Sequence, residues 1–217
     1  MKQLIVIFCI VFFGISLKGI EAKQPKLNEE YLVIDGKQAA PQRKVAVIEF
    51  FSYACVHCYY FEPALEQWLS ETSSSMEFRR VPAIFADRMI PLAKLYYTLE
   101  EMEKLNVFHN LVFQKIHDEN AKIYSKKAIM KWAKDEPELD YVSFVEVFDS
   151  FSVGKKTREA KQLTRKYKIP GTPYVTVGGK FLTGPSLIFE SNQQNDSQAN
   201  TARLFEVIEE LIVMIKK

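Results

Sequence analysis

Cysteine is scarce in this chain, and its few cysteines are unevenly placed. Only three occur among 217 residues: Cys9 near the start, and Cys55 and Cys58 with two residues between them. This is too few for the set of disulfides that staples a small secreted domain. A chain of this length, with 47% hydrophobic residues, can form a packed core without such staples.

An excess of charge of one sign is also missing. Lysine and arginine number 29 against 27 aspartates and glutamates, which gives a net charge of +2. This balance offers no reason to expect nucleic acid or an anionic membrane as a partner, and we predict no nucleic-acid binding. The basic cluster between Lys155 and Lys168 has helical spacing, so a solvated helix face explains it best.

The most apolar run of the chain is short for a membrane span. It covers residues 4–17, follows Lys2, and is followed by the small residue Ala22. These features are typical of a secretory signal peptide, whereas a spanning helix needs roughly 20 apolar residues. We expect cleavage between Ala22 and Lys23, which also removes Cys9. An uncleaved N-terminal anchor is the alternative.

The order of apolar patterns predicts an α/β protein that is split by helices, and we find no internal repeat. Strands are predicted at residues 31–35, 44–51, 76–85 and 173–182, a polar loop at 191–201 and a final helix at 201–215. A helix that starts near the cysteines separates the second and third strands, and this order favours a parallel pair. Five helical segments lie between residues 87 and 168, with Ser125 and Asp140 as candidate N-caps.

The close cysteine pair carries the chemistry. Cys55 follows a strand of the buried type and precedes a helix, where unpaired N–H groups and the helix dipole favour a thiolate. The thiolate is the nucleophile of thiol–disulfide exchange. Cys58 lies about one turn further on, where it can form a disulfide with Cys55 or resolve a mixed disulfide. His57 between them adds a hydrogen-bond donor, and a stabilised reduced form makes the disulfide a stronger oxidant.

Other uses of the pair fit less well. A structural zinc site needs four ligands, but there is no second cysteine pair, and His109 and His117 stand alone in helical segments. A purely structural disulfide would close too short a loop to remove much chain entropy. We therefore predict no metal and no cofactor.

Two further positions suggest roles beside the cysteines. Glu49 interrupts an apolar run, which indicates a partly buried carboxyl with a raised pKa that can exchange a proton when Cys58 reacts. A glutamate that reaches solvent from the end of the strand is the alternative. Pro173 stands directly before a β-rich run although it cannot donate a ladder hydrogen bond, and on its own it could be an ordinary turn proline.

Two segments make a family resemblance specific. "EFFSYACVHCYYFE" (49–62) resembles the active-site segment of the DsbA family of periplasmic disulfide oxidoreductases, and "IPGTPYVTVGGKF" (169–181) resembles that family's cis-proline loop. The resemblance implies a thioredoxin-like domain that carries an inserted all-helical domain. The implied borders are a signal peptide at 1–22, the thioredoxin-like domain at 23–86 and 159–217, and the helical insertion at 87–158.

The same resemblance implies a role for each site residue. These are Cys55 as attacking thiol, Cys58 as resolving thiol, His57 as stabiliser of the Cys55 thiolate, Glu49 as buried acid, Glu62 as a second acidic group, and Thr172-Pro173 as a cis loop that pairs with substrate backbone. Together they imply an oxidase that introduces disulfide bonds into newly exported proteins. A membrane quinone-linked protein resembling DsbB would reoxidise it.

Two departures from the family pattern leave other functions open. Val56 stands where the best-known members have proline, and Thr172 where they have valine, so the direction of transfer is less certain than the fold. A disulfide isomerase or reductase of the same fold is the alternative, although residues 23–43 are too few for the dimerisation domain of family isomerases. A non-catalytic peptide-binding module is the third reading, but binding alone needs no thiol of low pKa.

Overall fold

The computed structural model describes residues 24–34, 44–72, 76–192 and 196–217, within which five strands form one mixed sheet. The strands are β1 Leu32–Val33, β2 Val45–Phe51, β3 Met76–Pro82, β4 Tyr174–Val177 and β5 Phe181–Thr183. Their order is β1-β5-β4-β2-β3, and only β2 and β3 run parallel. β2 has a neighbour on each side and layers on both faces, which explains its continuous apolar sequence.

In the described part of the chain, eight α-helices surround this sheet. They are α1 Val56–Glu71, α2 Ile90–Glu101, α3 Leu105–His117, α4 Lys126–Asp135, α5 Tyr141–Phe148, α6 Phe151–Lys166, α7 Pro185–Asn192 and α8 Ser197–Lys216, with a short 3-10 turn at Asp87–Met89. α1 connects β2 to β3, so the predicted parallel pair is confirmed. The predicted N-caps are confirmed as well, because Ser125 accepts from the Ala128 N–H and Asp140 from the Val142 N–H.

The two faces of the sheet are covered by different helices. Alternate residues of a strand point to opposite faces. Ile48 and Phe50 belong to a large cluster shared with α2 to α6, whereas Val45 and Val47 pack with α1, α7 and α8. Glu49 shares the alternation of Val45 and Val47 and so lies beneath α1.

The prediction for the region after β5 was partly wrong. α7 occupies residues 185–192, and α8 begins at Ser197 after the N-cap Asp196, so the polar loop is shorter than predicted at both ends. α7 has only one fully buried residue, Ile188, and so shows little of the apolar stripe by which a helix is recognised.

Two other predicted borders can be placed against the structure. The predicted border at residue 158 falls inside α6, which begins at Phe151 after the N-cap Ser150. The predicted signal peptide and its cleavage position lie outside the described residues. In the part of the chain that the structure describes, we find no helix with the length and apolar character needed to cross a bilayer.

Candidate active site

The two cysteines lie at the start of α1, just after the end of β2. Cys55 is the N-cap residue, with extended backbone angles, and Cys58 lies in the first turn. Cys55 is partly exposed, whereas Cys58 is only 1% exposed, and both are free thiols in this structure. A substrate can therefore reach Cys55 but not Cys58.

The surroundings of Cys55 favour its thiolate. The largest effect is a hydrogen bond from the Cys58 thiol, and burial opposes it. The Thr172 side chain and the backbone N–H groups of Cys58 and His57 add further stabilisation, and the pKa of Cys55 falls to about 5. The Cys55 Sγ also lies 3.2 Å from the Thr172 carbonyl oxygen, a contact that favours the neutral thiol, but the donors outweigh it.

The surroundings of Cys58 and Glu49 instead favour the neutral, protonated forms of these two groups. Burial raises the pKa of Cys58 well above its usual value, and the hydrogen bond to Cys55 and the nearby charges of Cys55 and Glu49 raise it further. Glu49 is fully buried. Burial and the charge of Glu62 raise the pKa of Glu49 to about 8, although Arg80 opposes this shift. Glu49 therefore holds a proton at neutral pH.

Arg80 from β3 lies among three carboxylates below the cysteines. The parallel register places it directly opposite Glu49, and its Nε is 3.3 Å from Glu49 Oε2. Its Nη2 donates to Glu62 Oε1 and to Glu66 Oε1, each at 2.5 Å. His109 Nε2 lies 3.4 Å from the same Glu62 oxygen. The buried acid is thus one member of a charged cluster rather than an isolated group.

Helix α3 adds two histidines to this side of the site. His109 is buried, and its Nδ1 is 2.8 Å from the Tyr53 hydroxyl. His117 Nε2 donates to the Tyr53 carbonyl oxygen at 2.9 Å, and its ring stacks on Tyr59. The Tyr59 hydroxyl donates to Asp118 at 2.7 Å. These contacts join the helical insertion to the first turn of α1.

The loop before β4 completes the site. The Thr172-Pro173 peptide bond is cis, and the Thr172 carbonyl faces Cys55, as predicted. His57 is exposed, and we find no hydrogen bond of its imidazole among the described residues; its backbone N–H acts on Cys55 instead.

A groove of about 840 Å³ begins at His57, between the two cysteines in sequence, and runs along α1 with α7 and α8 on its other side. Its lining includes His57, Tyr60, Trp68, Pro173 and Phe189, and Tyr60 is 72% exposed. A groove with this many aromatic and apolar side chains suits a polypeptide segment better than a small polar molecule. Within the described ranges, no group of three or more His, Cys, Asp or Glu side chains is arranged to hold a metal ion.

Comparisons with known proteins agree with this geometry. Residues 75–194 match the family described as DSBA-like thioredoxin domain. The chain is 38% identical over 174 residues to the thiol:disulfide interchange protein DsbA of Bordetella pertussis. The aligned region covers 80% of this chain and 78% of that protein. The chain belongs to the DsbA family.

Other DsbA proteins extend this relationship. DsbA of Burkholderia cepacia is 33% identical over 164 residues, or 75% of this chain and 77% of that protein. The crystal structure of Pseudomonas aeruginosa DsbA has a TM-score of 0.76 at 26% identity, and the match covers 88% of this chain and 97% of that one. The predicted thioredoxin-like fold with a helical insertion is confirmed, and the chain is a thiol:disulfide oxidoreductase.

Three members of the site in this DsbA-family chain were not predicted from the sequence. Arg80 was not singled out, although the predicted parallel pairing of β2 and β3 could have placed it opposite Glu49. Tyr53 was not considered, and His109 was treated only as an unsuitable zinc ligand. The contact between Tyr53 and His109 leaves no local pattern in the sequence, because 56 positions separate the two residues.

Proposed function

We propose that this protein introduces disulfide bonds into exported proteins by using the Cys55–Cys58 disulfide as its oxidant. The observation that carries the proposal is the unequal pair of thiols, with a pKa of about 5 for Cys55 and a strongly raised pKa for Cys58. A stabilised Cys55 thiolate favours the reduced form, so the oxidised form readily transfers its disulfide.

The exchange proceeds in two steps. A substrate thiolate attacks Cys55 Sγ, the Cys55–Cys58 bond breaks, and the electron pair stays on Cys58, giving a mixed disulfide. A second substrate thiolate then attacks the substrate sulfur of that disulfide, and Cys55 leaves as a thiolate. The low pKa of Cys55 makes it a good leaving group. The substrate loses two electrons, and the protein gains them.

Glu49 donates a proton to the buried Cys58 thiolate and accepts it back in the reverse reaction. When the Cys55–Cys58 bond breaks, the Cys58 thiolate forms in a site where burial disfavours its charge. Glu49, protonated at neutral pH because its pKa is about 8, supplies the proton. In the reverse direction, when the dithiol is reoxidised, Glu49 accepts the Cys58 proton in those molecules in which it is ionised, and their fraction grows as the pH rises towards the Glu49 pKa of about 8. The backbone N–H of His57 supports the Cys55 thiolate at the rim of the site.

The loop and the groove bind the substrate chain. The Thr172 carbonyl lies beside Cys55 Sγ, so an extended peptide can pair with this backbone while its cysteine meets Cys55. The groove along α1 holds the neighbouring apolar residues of an unfolded substrate. We propose that the export signal at residues 1–22 delivers the protein to the periplasm and that a membrane quinone-linked protein resembling DsbB reoxidises it.

The redox state of the pair in living cells tests this function. Cells are quenched with acid, free thiols are alkylated with a reagent that adds mass, and the fraction of oxidised Cys55–Cys58 is read from a gel. A mostly oxidised pair supports the oxidase, whereas a mostly reduced pair would support an isomerase or reductase. The purified oxidised protein should also restore activity to a reduced, unfolded substrate, and a Cys55→Ser variant should not.

A further inference from the structure

A histidine of the helical insertion shares an oxygen atom with the arginine of the charged cluster. Glu62 Oε1 accepts from Arg80 Nη2 at 2.5 Å, and His109 Nε2 lies 3.4 Å from the same atom. His109 is 5% exposed and Glu62 is 2% exposed, so solvent screens this contact little. Glu62 is therefore stabilised from two sides, by β3 and by α3.

The Tyr53 hydroxyl orients the imidazole. It lies 2.8 Å from His109 Nδ1; the ionised Glu62 can only accept, so the Nε2 that faces it carries the ring proton, and Nδ1 accepts from the hydroxyl. A hydroxyl that donates to Nδ1 assigns the remaining proton of a neutral imidazole to Nε2, which faces Glu62. Burial raises the pKa of Glu62, but the contact with His109 and the charge of Arg80 outweigh it and keep its pKa below the usual value.

Arg80 and Glu62 connect this contact to the buried acid. Its Nη2 is engaged by Glu62 and Glu66, while its Nε is 3.3 Å from Glu49 Oε2. The guanidinium stays charged, so it cannot pass a proton along this route. It attracts all three carboxylates at once, and the charge of Glu62 in turn disfavours ionisation of Glu49. Any donor that keeps Glu62 ionised therefore helps to keep the proton on Glu49.

We propose that His109 is a positioning residue that sets the proton affinity of Glu49 by sharing Glu62 with Arg80. The groups that face its imidazole are Glu62 of α1, Tyr53 after β2 and Tyr96 of α2, with Arg80 behind Glu62. Without the Nε2 donor, Glu62 binds a proton more readily, its charge near Glu49 is weakened, and Glu49 loses its proton at lower pH. Because Glu49 accepts the Cys58 proton during reoxidation, the helical insertion, through His109, adjusts the pH at which the Cys55–Cys58 disulfide forms again.

The direct test is the Glu49 carboxyl titration, followed by NMR in the reduced full-length chain with ¹³C-labelled glutamate. A Glu49→Gln spectrum assigns the signal. His109→Leu, which removes the donor, should lower the Glu49 pKa by about half a unit or more. His109→Gln retains an N–H donor and should restore the wild-type value. His117→Leu is the matched control on the same helix, because His117 contacts the Tyr53 backbone rather than a carboxylate, and should leave the Glu49 pKa unchanged.

Two outcomes overturn the inference: an unchanged Glu49 pKa in His109→Leu, or an equal shift in His109→Leu and His109→Gln. If His109→Leu does not fold, Tyr53→Phe replaces it, since loss of the hydroxyl frees Nδ1 to take the proton; an unchanged Glu49 pKa in that variant overturns the inference as well. The inference rests on the proposed role of Glu49, but the titration needs no turnover. Failure of the oxidase assay and failure of this coupling are therefore separate results.

Discussion

Glu49 and Arg80 face each other across β2 and β3, but the contact between them is incomplete. Arg80 Nε lies 3.3 Å from Glu49 Oε2, and within the described residues neither carboxylate oxygen of Glu49 accepts a hydrogen bond. The other end of the guanidinium is held by Glu62 and Glu66. A buried carboxyl with so weak a counterion keeps its proton at neutral pH, which allows Glu49 to act as an acid near Cys58.

Glu49→Gln should change how stability depends on pH. The folded pKa of Glu49, about 8, lies above the unfolded value of about 4.3, so the wild type loses stability as pH rises between these values. Glutamine cannot ionise and removes this loss. Between pH 5 and pH 8 the variant should gain about 2–4 kcal/mol relative to wild type in urea unfolding. Glu66→Gln, the half-exposed member of the cluster, is the control, and an equal Glu49→Gln difference at both pH values would contradict the prediction.

The thiolate of Cys55 should be visible by absorbance at 240 nm, with a midpoint near pH 5. Because the folded pKa lies below the unfolded value of about 8.5, the ionised thiol stabilises the reduced protein above pH 5, and this gain is lost as pH falls through 5. At pH 7 it amounts to about 1–2 kcal/mol after allowance for the partial exposure of Cys55. Cys55→Ser should show no thiolate signal at neutral pH, and a wild-type midpoint near 8 would refute the assignment.

Thr172→Val should raise the pKa of Cys55. The Thr172 side chain is one of the donors that stabilise the thiolate, and valine keeps a similar shape without a hydroxyl. We expect an increase of about half a unit to one unit and a less oxidising protein, measured by equilibration with glutathione. Thr172→Ser keeps the hydroxyl and should behave like wild type. Identical titrations of Thr172→Val and Thr172→Ser would remove the side chain from this role.

Glu30→Gln should destabilise the fold without touching the site. Arg203 Nε and Nη2 of α8 donate to the two Glu30 oxygens at 2.8 and 2.9 Å, and Glu30 is fully buried. Removing one partner of a buried ion pair costs about 3–5 kcal/mol. Urea unfolding measures the loss. Glu29→Gln is the matched control, because Glu29 is exposed and pairs with Lys26 at the surface, and it should change stability by less than about 1 kcal/mol. Equal effects of the two substitutions would contradict the prediction.

The sequence by itself determined the features that depend on near neighbours. Cys55 between an apolar strand and a helix and the caps Ser125 and Asp140 are read from residues a few positions apart, and the order strand–helix–strand predicts the parallel pair β2 and β3. Gly178 and Gly179, between β4 and β5, have positive φ angles of 60° and 65°, which a tight hairpin turn favours. Local hydrogen bonds and backbone sterics decide these features, so a short stretch of sequence is enough to predict them.

Only the tertiary structure decided which charges surround the buried acid. Glu49 comes from β2, Arg80 from β3, Glu62 from α1 and His109 from α3, and the contacts between them join residues 18 to 47 positions apart. A pKa depends on burial and on distances of a few ångströms, and neither quantity follows from residue type or spacing. The sequence could therefore predict a carboxyl near the cysteines, but its proton affinity follows from packing the helical insertion against the sheet.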